Sequence, residues 1–442
     1  MASKYLNYDK ADKYDKYKFV GFKIVLYPTK EQELIFNRYF GACRFIYNKC
    51  IELQEKYYTD SKASGNNYTH LQYFHYSKLI IALRKTPGFE WLMEYNLESL
   101  RAVSKDVLKA YDYYTNNSQD KPAYKSKKNT EQSFPIRSDR LSIYKDRVKI
   151  PSIGYVSIGS IADTRLIGSG NKDKASLPYK QFINARVLFD GYRYYLTFSL
   201  PKSDEIQISS YTKYNNDIYT HKQCSDTIGI DIGCSKDNWI VASNGMRFNL
   251  PDMSKEEKKI KTLRRKYMHK VKLHNEERTN PYYRTNNEKK LLRKINKYYK
   301  RIKNKTLNKL YVSAHTILQL KPSSIVLENI RMKDMLVHRS TCNWPDSNIA
   351  AFNNNIHNHM PYTVKSTFEY LARNANINVL VAPCDYPSSQ ICSNCGCINK
   401  EIGHKKIFKC PVCGFAADRD DNASINLRNY SYSLSKPFMI IS

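Results

Sequence analysis

Four cysteines near the end of the sequence constrain its folding more than any other feature. They form two Cys-x-x-Cys pairs, and the fourteen residues 396–409 separate one pair from the other. Four thiolates at this spacing are typical of a tetrahedral Zn²⁺ site, and a closed shell of cysteines leaves no open position for catalysis. We therefore predict one structural Zn²⁺ ion, which folds a loop too short to bury a core of its own. The predicted ligands are Cys392, Cys395, Cys410 and Cys413.

Two acidic residues stand inside apolar runs that otherwise predict buried strands. Asp231 lies within "IGIDIG", and Glu328 follows "SIVL". Burying an isolated carboxylate is costly unless it is paired, hydrogen-bonded or bound to a metal. For either residue alone, a salt bridge or a cap explains its position as well as a metal does.

A third acidic group follows the last cysteine pair in the stretch "DRDDN", which contains Asp418, Asp420 and Asp421. Two strand-borne acids and a third at a helix start can converge and supply the oxygen ligands that Mg²⁺ prefers. Two such ions about 4 Å apart promote phosphodiester hydrolysis in many nucleases, and Mn²⁺ is a chemical substitute for Mg²⁺. Asn422 is expected to cap or orient the helix that follows.

The charge of the chain indicates its partner. Lys and Arg total 72 against 41 Asp and Glu, so the formal net charge is +31. A solvated surface does not need so large an excess, and a polyanionic partner is the simplest reason for it. Nucleic acid is favoured over a membrane, because the sequence has no run of roughly 18 apolar residues and no charged-then-apolar leader. We expect a nuclease in the cytoplasm of a prokaryotic cell, associated with the nucleoid.

The remaining cysteines do not indicate a disulfide framework. The chain has 11 cysteines, an odd number, and no secretory leader. His404 is an alternative zinc ligand, although the four paired cysteines already complete the shell. The others are expected to be small buried hydrophobic residues: Cys43, Cys50, Cys224, Cys234, Cys342, Cys384 and Cys397.

Periodicity divides the chain into strand-rich and helix-rich segments. Alternating apolar residues predict strands before and after a long helical stretch, and the second half alternates strand, helix and strand as in an α/β sheet. The predicted segments are a loose tail at 1–16, a β unit at 17–29 and 130–202, a helical insertion at 30–129, a linker at 203–223 and an α/β domain at 224–442.

Two local signals are specific enough to predict particular structures. Thr29 followed by Gln32 predicts a capping box at the start of a helix. Asp190 and Gly191 lie between two alternating runs and predict a β-hairpin turn.

The motifs resemble those of the TnpB family of transposon-encoded proteins, to which the compact type V CRISPR effectors and the eukaryotic Fanzor proteins are related. "GIDIG", "VLENI" and "CSNCG…CPVCGFAADRDDNASIN" look like its three RuvC motifs. "YPSSQICSNCG" is similar to its approach to the zinc ribbon, and "EQELIFNRYFGACRFIYN" and "KKNTEQSF" are similar to its amino-terminal half. The resemblance spans roughly residues 18 to 427.

The resemblance implies a fold and an activity. The fold is an RNase H-like (RuvC) nuclease domain with a zinc-ribbon insertion at 388–416, joined to a wedge β-barrel that a helical recognition module interrupts. Within the nuclease domain, the basic stretch 254–320 is predicted to form a helical hairpin from its one-signed charge and its apolar seam. The activity is that of an RNA-guided DNA endonuclease, which binds a guide RNA and cleaves target DNA beside a short flanking motif. The implied catalytic Mg²⁺ ligands are Asp231, Glu328 and Asp420.

One stretch departs from the family pattern. In "SNIAAFNNNIHNHMPYTVKSTFEYLA", asparagines and histidines fill what we expect to be a loop before a helix. The residues concerned are Asn353, Asn354, Asn355, His357 and His359.

Basic and polar residues on predicted helices and on the ribbon are candidate nucleic-acid contacts. Phosphate contacts of this kind bind without reading sequence. The candidates are Arg44, Asn48, Arg264, Arg265, Lys405 and Lys406.

Three alternatives remain open. A compact type V CRISPR effector would use the same chemistry, and only the neighbouring DNA would distinguish it. An RNA-guided repressor that does not cut is disfavoured because all three acids are present, and a guide-free nuclease such as a junction resolvase does not explain the large amino-terminal half. The sequence favours a monomer without fixing the oligomeric state.

Overall fold

The description below rests on a computed structural model, which describes residues 19–64, 71–115, 121–127, 131–144, 146–158, 183–201, 226–233, 235–275, 284–330, 335–337, 345–403 and 405–433. These residues divide into two units, one containing those up to 201 together with 292–296 and the other containing the rest. Several predicted features lie outside the described residues: the tail at 1–16, the linker at 203–223, Cys224, Cys234, Cys342 and His404.

Seven strands of the first unit form one antiparallel sheet. They are β1 (Phe19–Tyr27), β2 (Gln132–Pro135), β3 (Ser142–Ile143), β4 (Arg147–Ile150), β5 (Gly154–Ile158), β6 (Ile183–Phe189) and β7 (Tyr194–Pro201). Their order is β2-β6-β7-β1-β5-β4-β3. The strand that precedes the helical stretch therefore lies in the middle of the sheet, between strands that follow it.

The predicted hairpin at Asp190 and Gly191 is confirmed. It joins β6 to β7, which pair from Ile183 to Phe189. The Asp190 carboxylate accepts hydrogen bonds from the backbone N–H groups of Tyr192 and Arg193, at 3.1 and 2.9 Å. Gly191 has a φ of +81°, a conformation that a residue without Cβ adopts at no steric cost.

The described residues between β1 and β2 form three helices and one 3₁₀ turn. The helices are α1 (Lys30–Ala63), α2 (Tyr73–Lys85) and α3 (Leu97–Thr115), and the turn is Glu90–Glu94. The predicted capping box at Thr29 is confirmed: Gln32 N–H donates to Thr29 Oγ1 at 3.2 Å, and Thr29 N–H donates to Gln32 Oε1 at 3.1 Å.

Aromatic packing joins α1 to this sheet. Phe36 of α1 and Phe134 of β2 are fully buried, and the Phe134 ring stacks on Tyr39 with centroids 4.7 Å apart. Arg186 of β6 binds Asp106 of α3 through two parallel hydrogen bonds of 2.9 and 2.8 Å. Paired bonds of this kind fix direction as well as distance, so they orient α3 on the sheet.

The second unit has a mixed sheet of five strands. They are β8 (Ile228–Ile232), β9 (Ile240–Ala242), β10 (Arg247–Phe248), β11 (Ser324–Glu328) and β12 (Asn378–Ala382), in the order β10-β9-β8-β11-β12. The pairs β8–β11 and β11–β12 are parallel, whereas β8–β9 and β9–β10 are antiparallel. Every residue of β8 is buried, which explains why its sequence is apolar apart from Asp231.

Five helices and a small ribbon accompany this sheet. The helices are α4 (Ser254–Asn275), α5 (Asn286–Leu318), α6 (Asp346–His359), α7 (Pro361–Asn374) and α8 (Arg419–Ser433). The ribbon contains the 3₁₀ turn Lys400–Ile402 and the antiparallel pair β13 (Ile407–Lys409) and β14 (Ala416–Asp418). The expected α/β content of the chain is confirmed. In the part of the chain that is described, no helix is both long and apolar enough to cross a membrane.

The expectation of a loop around Asn353 to His359 is wrong, because these residues belong to α6. Ile349 and Ile356 of this helix are buried, and packing of that face outweighs the modest helix propensity of asparagine. The helix ends at Met360, whose φ of +52° reverses the chain before Pro361 begins α7.

The cysteines outside the zinc pairs divide into two kinds. Cys43 and Cys50 are buried as predicted, and burial raises the pKa of each thiol to about 12. The expectation of burial is wrong for Cys384 and Cys397, which are partly exposed. Cys384 follows an outer strand of the sheet, and Cys397 lies in a ribbon whose core is only a few side chains.

Candidate functional site

Asp231 and Glu328 lie on adjacent parallel strands. In the β8–β11 pair, Ile230 stands opposite Leu327, and the two acids are the next residue on each strand. Residues at equivalent positions of paired strands project to the same face of the sheet. The sequence therefore places two carboxylates side by side at the carboxyl edge of the sheet.

Gly229 allows helix α8 to pack unusually close to β8. A Cβ atom at this position would lie 2.1 Å from the carbonyl oxygen of Ser424 and 2.3 Å from the backbone nitrogen of Arg428. No side chain fits at such distances, so glycine is required for this backbone contact. Since Asp231 is two residues beyond Gly229, its side chain faces the same helix.

The packing brings the first turn of α8 to Asp231. Asp420 stands four residues before Ser424, a distance of about 6 Å along a helix. Asp231 stands two residues beyond Gly229, a distance of about 6.6 Å along a strand. The two spacings match, and Asp420 and Asp418 are among the charges that act on Asp231.

The electrostatics of Asp231 reflect the charges of the other two acids. Burial raises the pKa of Asp231 well above its ordinary value, and the carboxylates of Asp420 and Glu328 raise it further. Burial also raises the pKa of Glu328. The Arg419 guanidinium opposes both shifts. Clustered carboxylates repel one another, and a bound divalent cation would relieve this repulsion.

The three acids meet at one edge of the sheet without forming a single compact cage. Among the described residues, only the four zinc-type cysteines place all their ligand atoms within 4.8 Å of one another. In a site that holds two ions about 4 Å apart, the carboxylates need not all converge on one point. The donor set therefore fits Mg²⁺, a hard cation that takes one or two carboxylates and leaves other positions to substrate.

Asp418 and Asp421 have other partners. Asp418 Oδ1 accepts hydrogen bonds from the backbone N–H groups of Asp420 and Asp421, at 3.0 and 3.3 Å, so it caps α8. Asp421 pairs with Arg247. These contacts separate the roles of the three aspartates and leave Asp420 as the one beside the strand acids.

Asn422 was predicted to cap or to orient α8, and the cap is wrong, because Asp418 provides it. The Asn422 side chain is fully buried and binds the ribbon instead: its Oδ1 accepts from Ser393 N–H at 2.9 Å, and its Nδ2 donates to the carbonyl of Ile391 at 2.6 Å. Asn426, one turn later, also donates to the Ile391 carbonyl at 2.6 Å. The ribbon is therefore fixed to the helix that carries Asp420.

Sequence reasoning missed Asn238 and Arg247. Asn238 Nδ2 donates to Asp420 Oδ2 at 2.9 Å, and Arg247 Nη1 donates to Asn238 Oδ1 at 3.0 Å. Both residues lie near the β9–β10 hairpin, remote from Asp420 in sequence. Their only sequence signal is their proximity to "GIDIG".

The four cysteines form a tight cluster that could bind Zn²⁺. Cys392 Sγ lies 3.7 Å from Cys413 Sγ, and Cys395 Sγ lies 3.5 Å from Cys410 Sγ. Tetrahedral Zn²⁺ with bonds of about 2.3 Å requires sulfur atoms about 3.8 Å apart, so the spacing fits. The backbone N–H of Cys413 lies 3.5 Å from Cys410 Sγ and lowers the pKa of that thiol to about 6, which favours the thiolate that binds metal.

The candidate nucleic-acid residues differ in their surroundings. Arg44 donates to Gln132 Oε1 at 3.0 Å, and the Asn48 amide bonds to both the N–H and the carbonyl of Lys125. Arg264 and Arg265 are exposed on α4, and the Arg264 guanidinium lies 5.5 Å from the ring centroid of Tyr299.

The two ribbon lysines lie close to the acidic site. Lys405 and Lys406 are exposed, and the carbonyl of Lys406 accepts a hydrogen bond of 2.8 Å from Arg419 N–H. Arg419 is the first residue of α8 and precedes Asp420, so this bond holds the Lys406 backbone beside the helix end that carries Asp420. A contact of any of the six candidates with nucleic acid stays a prediction.

Comparisons with known proteins identify two matching family models. The model described as "Cas12f1-like, TNB domain" matches residues 362–427, which contain the ribbon and most of α8. A model described as a helix-turn-helix domain of the IS605 OrfB type matches residues 20–63, which form β1 and the single helix α1 in this structure.

Relatives match over much of the chain. "Putative RNA-guided DNA endonuclease InsQ" of Escherichia coli (strain K12) is 24% identical over 414 residues, which cover 92% of this chain and 91% of that protein. "TnpB-like protein L79" of Acanthamoeba polyphaga mimivirus is 26% identical over 168 residues, or 38% of this chain and 31% of that protein.

Similar solved structures include a Cas12f1–sgRNA–target DNA complex, with 16% identity, a TM-score of 0.29 and coverage of 93% of this chain and 99% of that chain. Another is the mini-RNA-guided endonuclease CRISPR-Cas_phi3, with 14% identity, a TM-score of 0.37 and coverage of 67% and 58%. The family models and the curated relatives confirm the resemblance that the motifs predicted.

Proposed function

We propose that this protein is an RNA-guided DNA endonuclease of the TnpB type. The observation that carries the proposal is the meeting of Asp231, Glu328 and Asp420 at one edge of a mixed sheet, with two acids in register on parallel strands. The strand order β10-β9-β8-β11-β12 supports an RNase H-like domain. The names of relatives aligned over most of the chain support a guided activity.

The three acids would hold Mg²⁺. Bound there, Mg²⁺ would act as a Lewis acid toward a DNA phosphodiester. The buried position of Asp231 excludes water from one side of its carboxylate and strengthens its attraction for a cation. Arg419 favours the ionised forms of Asp231 and Glu328, and the ionised forms are the ones that bind metal.

The ribbon would guide the substrate strand. Asn422 fixes the ribbon to α8, and the exposed Lys405 and Lys406 lie where they could bind phosphates next to Asp420. One structural Zn²⁺ held by the four cysteines would keep this small unit folded. The exposed basic side chains of α4, among them Arg264 and Arg265, would add phosphate contacts without sequence readout.

The proposed function implies two partners, a guide RNA and a target DNA. A guide RNA would supply sequence recognition by base pairing, and the protein would read only a short motif beside the DNA target. A compact type V CRISPR effector is the second candidate, because a Cas12f1-like family model matches the ribbon and α8. The two candidates share their chemistry and differ in the origin of the guide RNA.

The test is to purify the protein from cells that carry its native flanking DNA and to sequence the RNA that co-purifies. DNA matching that RNA is then incubated with the complex and Mg²⁺, with Asp231→Ala as the control. We expect one defined RNA and cleavage of matched DNA by the wild type alone, with the origin of the RNA deciding between a transposon and a CRISPR system.

Two other outcomes would contradict the proposal. A bound RNA without cleavage would favour a DNA-binding repressor. The absence of RNA together with cleavage of branched DNA would favour a guide-free resolvase.

A further inference from the structure

A short chain of hydrogen bonds ends on the carboxylate of Asp420. Arg247 of β10 donates from Nη1 to Asn238 Oδ1 at 3.0 Å, and Asn238 donates from Nδ2 to Asp420 Oδ2 at 2.9 Å. The mechanism proposed above assigns no role to either residue.

The donor and acceptor atoms of the two side chains set the direction of these hydrogen bonds. A guanidinium has only donors, whereas an asparagine amide has one acceptor atom and one donor atom. Arg247 therefore engages the oxygen of Asn238, and the amide nitrogen is left to face Asp420. This bond uses one carboxylate oxygen, so it restricts the rotation of the Asp420 side chain while the other oxygen can face a cation.

Arg247 also holds the first turn of α8. Its Nη2 pairs with Asp421 and lies 3.6 Å from Asp418 Oδ1. One guanidinium thus fixes the orientation of the Asn238 amide and the position of the helix end that carries Asp420.

The loop that carries Asn238 is closely packed. Asn238 N–H donates to Ser235 Oγ at 3.1 Å, and Gly233 N–H donates to the carbonyl of Trp239 at 3.0 Å. A Cβ atom on Gly233 would lie 2.0 Å from the Asn238 carbonyl oxygen, so the loop closes tightly only because position 233 is glycine. The amide of Asn238 is therefore presented from a constrained backbone.

We propose that Asn238, oriented by Arg247, is a positioning residue that holds the Asp420 carboxylate ready for a divalent cation. This inference rests on the proposed nuclease site. Hydrogen bonds that orient metal-binding carboxylates typically contribute 10–100-fold to metal affinity or activity. The Arg247–Asp421 pair contributes little to folding, because the two side chains are 34% and 35% exposed and solvent screens exposed ion pairs.

The test compares Asn238→Ala and Asn238→Asp with the wild type, all as the full chain with its bound RNA. Mn²⁺ is the probe, and its dissociation constant is measured by calorimetry alongside the cleavage rate as a function of Mg²⁺ and the melting temperature without metal. We expect Asn238→Ala to weaken Mn²⁺ binding about 10–100-fold and to need correspondingly more Mg²⁺ for cleavage, with little change in melting temperature. Asn238→Asp removes the same amide donor and should lose cleavage as well, but its added carboxylate attracts Mn²⁺, so the comparison of affinities rests on Asn238→Ala.

Two further variants make the result specific. Asp237→Ala, at the exposed residue next to Asn238, should bind Mn²⁺ like the wild type. Asp420→Asn tests the site itself. If Asp420→Asn weakens Mn²⁺ binding and Asn238→Ala does not, the inference is overturned and the proposed function stands; if neither weakens it, both are overturned. A loss of melting temperature without a change in Mn²⁺ affinity would reduce Asn238 to a structural role.

Discussion

Replacing Gly229 with alanine should damage both the fold and the catalytic geometry of the second unit. The new Cβ would lie 2.1 Å from Ser424 O and 2.3 Å from Arg428 N, both backbone atoms of α8. Ordinary contact between such atoms requires about 3.5 Å, so the helix must retreat by more than about 1 Å. Overpacking of this kind typically costs about 1–3 kcal/mol in the free energy of unfolding.

The displacement would reach the proposed active site, because α8 carries Asp420 while β8 carries Asp231. A misplacement of about 1 Å in a catalytic group can reduce the rate about 100-fold. We therefore expect Gly229→Ala to cleave matched DNA about 100-fold more slowly and to unfold at a temperature several degrees lower. Thermal denaturation and single-turnover cleavage measure the two effects. Zinc content should remain at the wild-type level, because the ribbon is fixed to α8 and moves with it.

Gly21→Ala is the matched control. Gly21 also lies in a strand, but a Cβ atom there would have no neighbour within 4 Å. It should change the free energy of unfolding by no more than about 0.5 kcal/mol and leave cleavage unchanged. If Gly229→Ala were as stable and as active as Gly21→Ala, the close approach of α8 to β8 would be wrong, and with it the placement of Asp420.

Three further predictions concern the zinc cluster, the buried acid and a helix cap. Cys410→Ser should lose the Zn²⁺ ion, measured as metal content per chain, and lower the melting temperature, whereas Cys397→Ser should retain the metal. Burial, Asp420 and Glu328 raise the pKa of Asp231 in the folded chain. In the absence of metal, protonation of Asp231 therefore stabilises the folded state. This stabilisation is complete below the unfolded pKa of about 3.9 and is lost as the pH rises through the folded pKa. Asp231→Asn should therefore have a higher melting temperature than the metal-free wild type at neutral pH, and the difference in melting temperature should shrink as the pH falls. An equal difference at every pH would refute the raised pKa of Asp231. Thr29→Ala should lower the free energy of unfolding by about 1 kcal/mol through loss of the α1 cap, and Thr29→Ser should retain most of it.

Local sequence signals predicted local structure well. The capping box at Thr29, the hairpin at Asp190 and the clustering of paired cysteines each depend on residues a few positions apart, or on a metal-ligand spacing that the sequence displays directly. The strand assignment of Asp231 and Glu328 followed from apolar runs that only a buried strand explains.

Features that depend on distant partners were missed. Asn238 bonds to a residue 182 positions away, and nothing in its own neighbourhood distinguishes it from an ordinary turn asparagine. Asn422 was expected to cap or orient α8 because asparagine favours helix starts, but the nearby Asp418 provides the cap and Asn422 binds the ribbon. Gly229 carried a usable signal, since a glycine inside a buried strand often indicates close approach of another backbone.

The most direct test of the central claim is the rate at which the RNA-bound protein cleaves matched DNA after each acid is replaced by its amide. The variants are Asp231→Asn, Glu328→Gln and Asp420→Asn, measured in single turnover with Mg²⁺ while bound RNA and melting temperature are monitored. The account predicts that each variant retains its RNA and its fold and loses cleavage by at least about 1,000-fold, because each amide removes a charged metal ligand. Cleavage near the wild-type rate by any one of the three would contradict the proposed site.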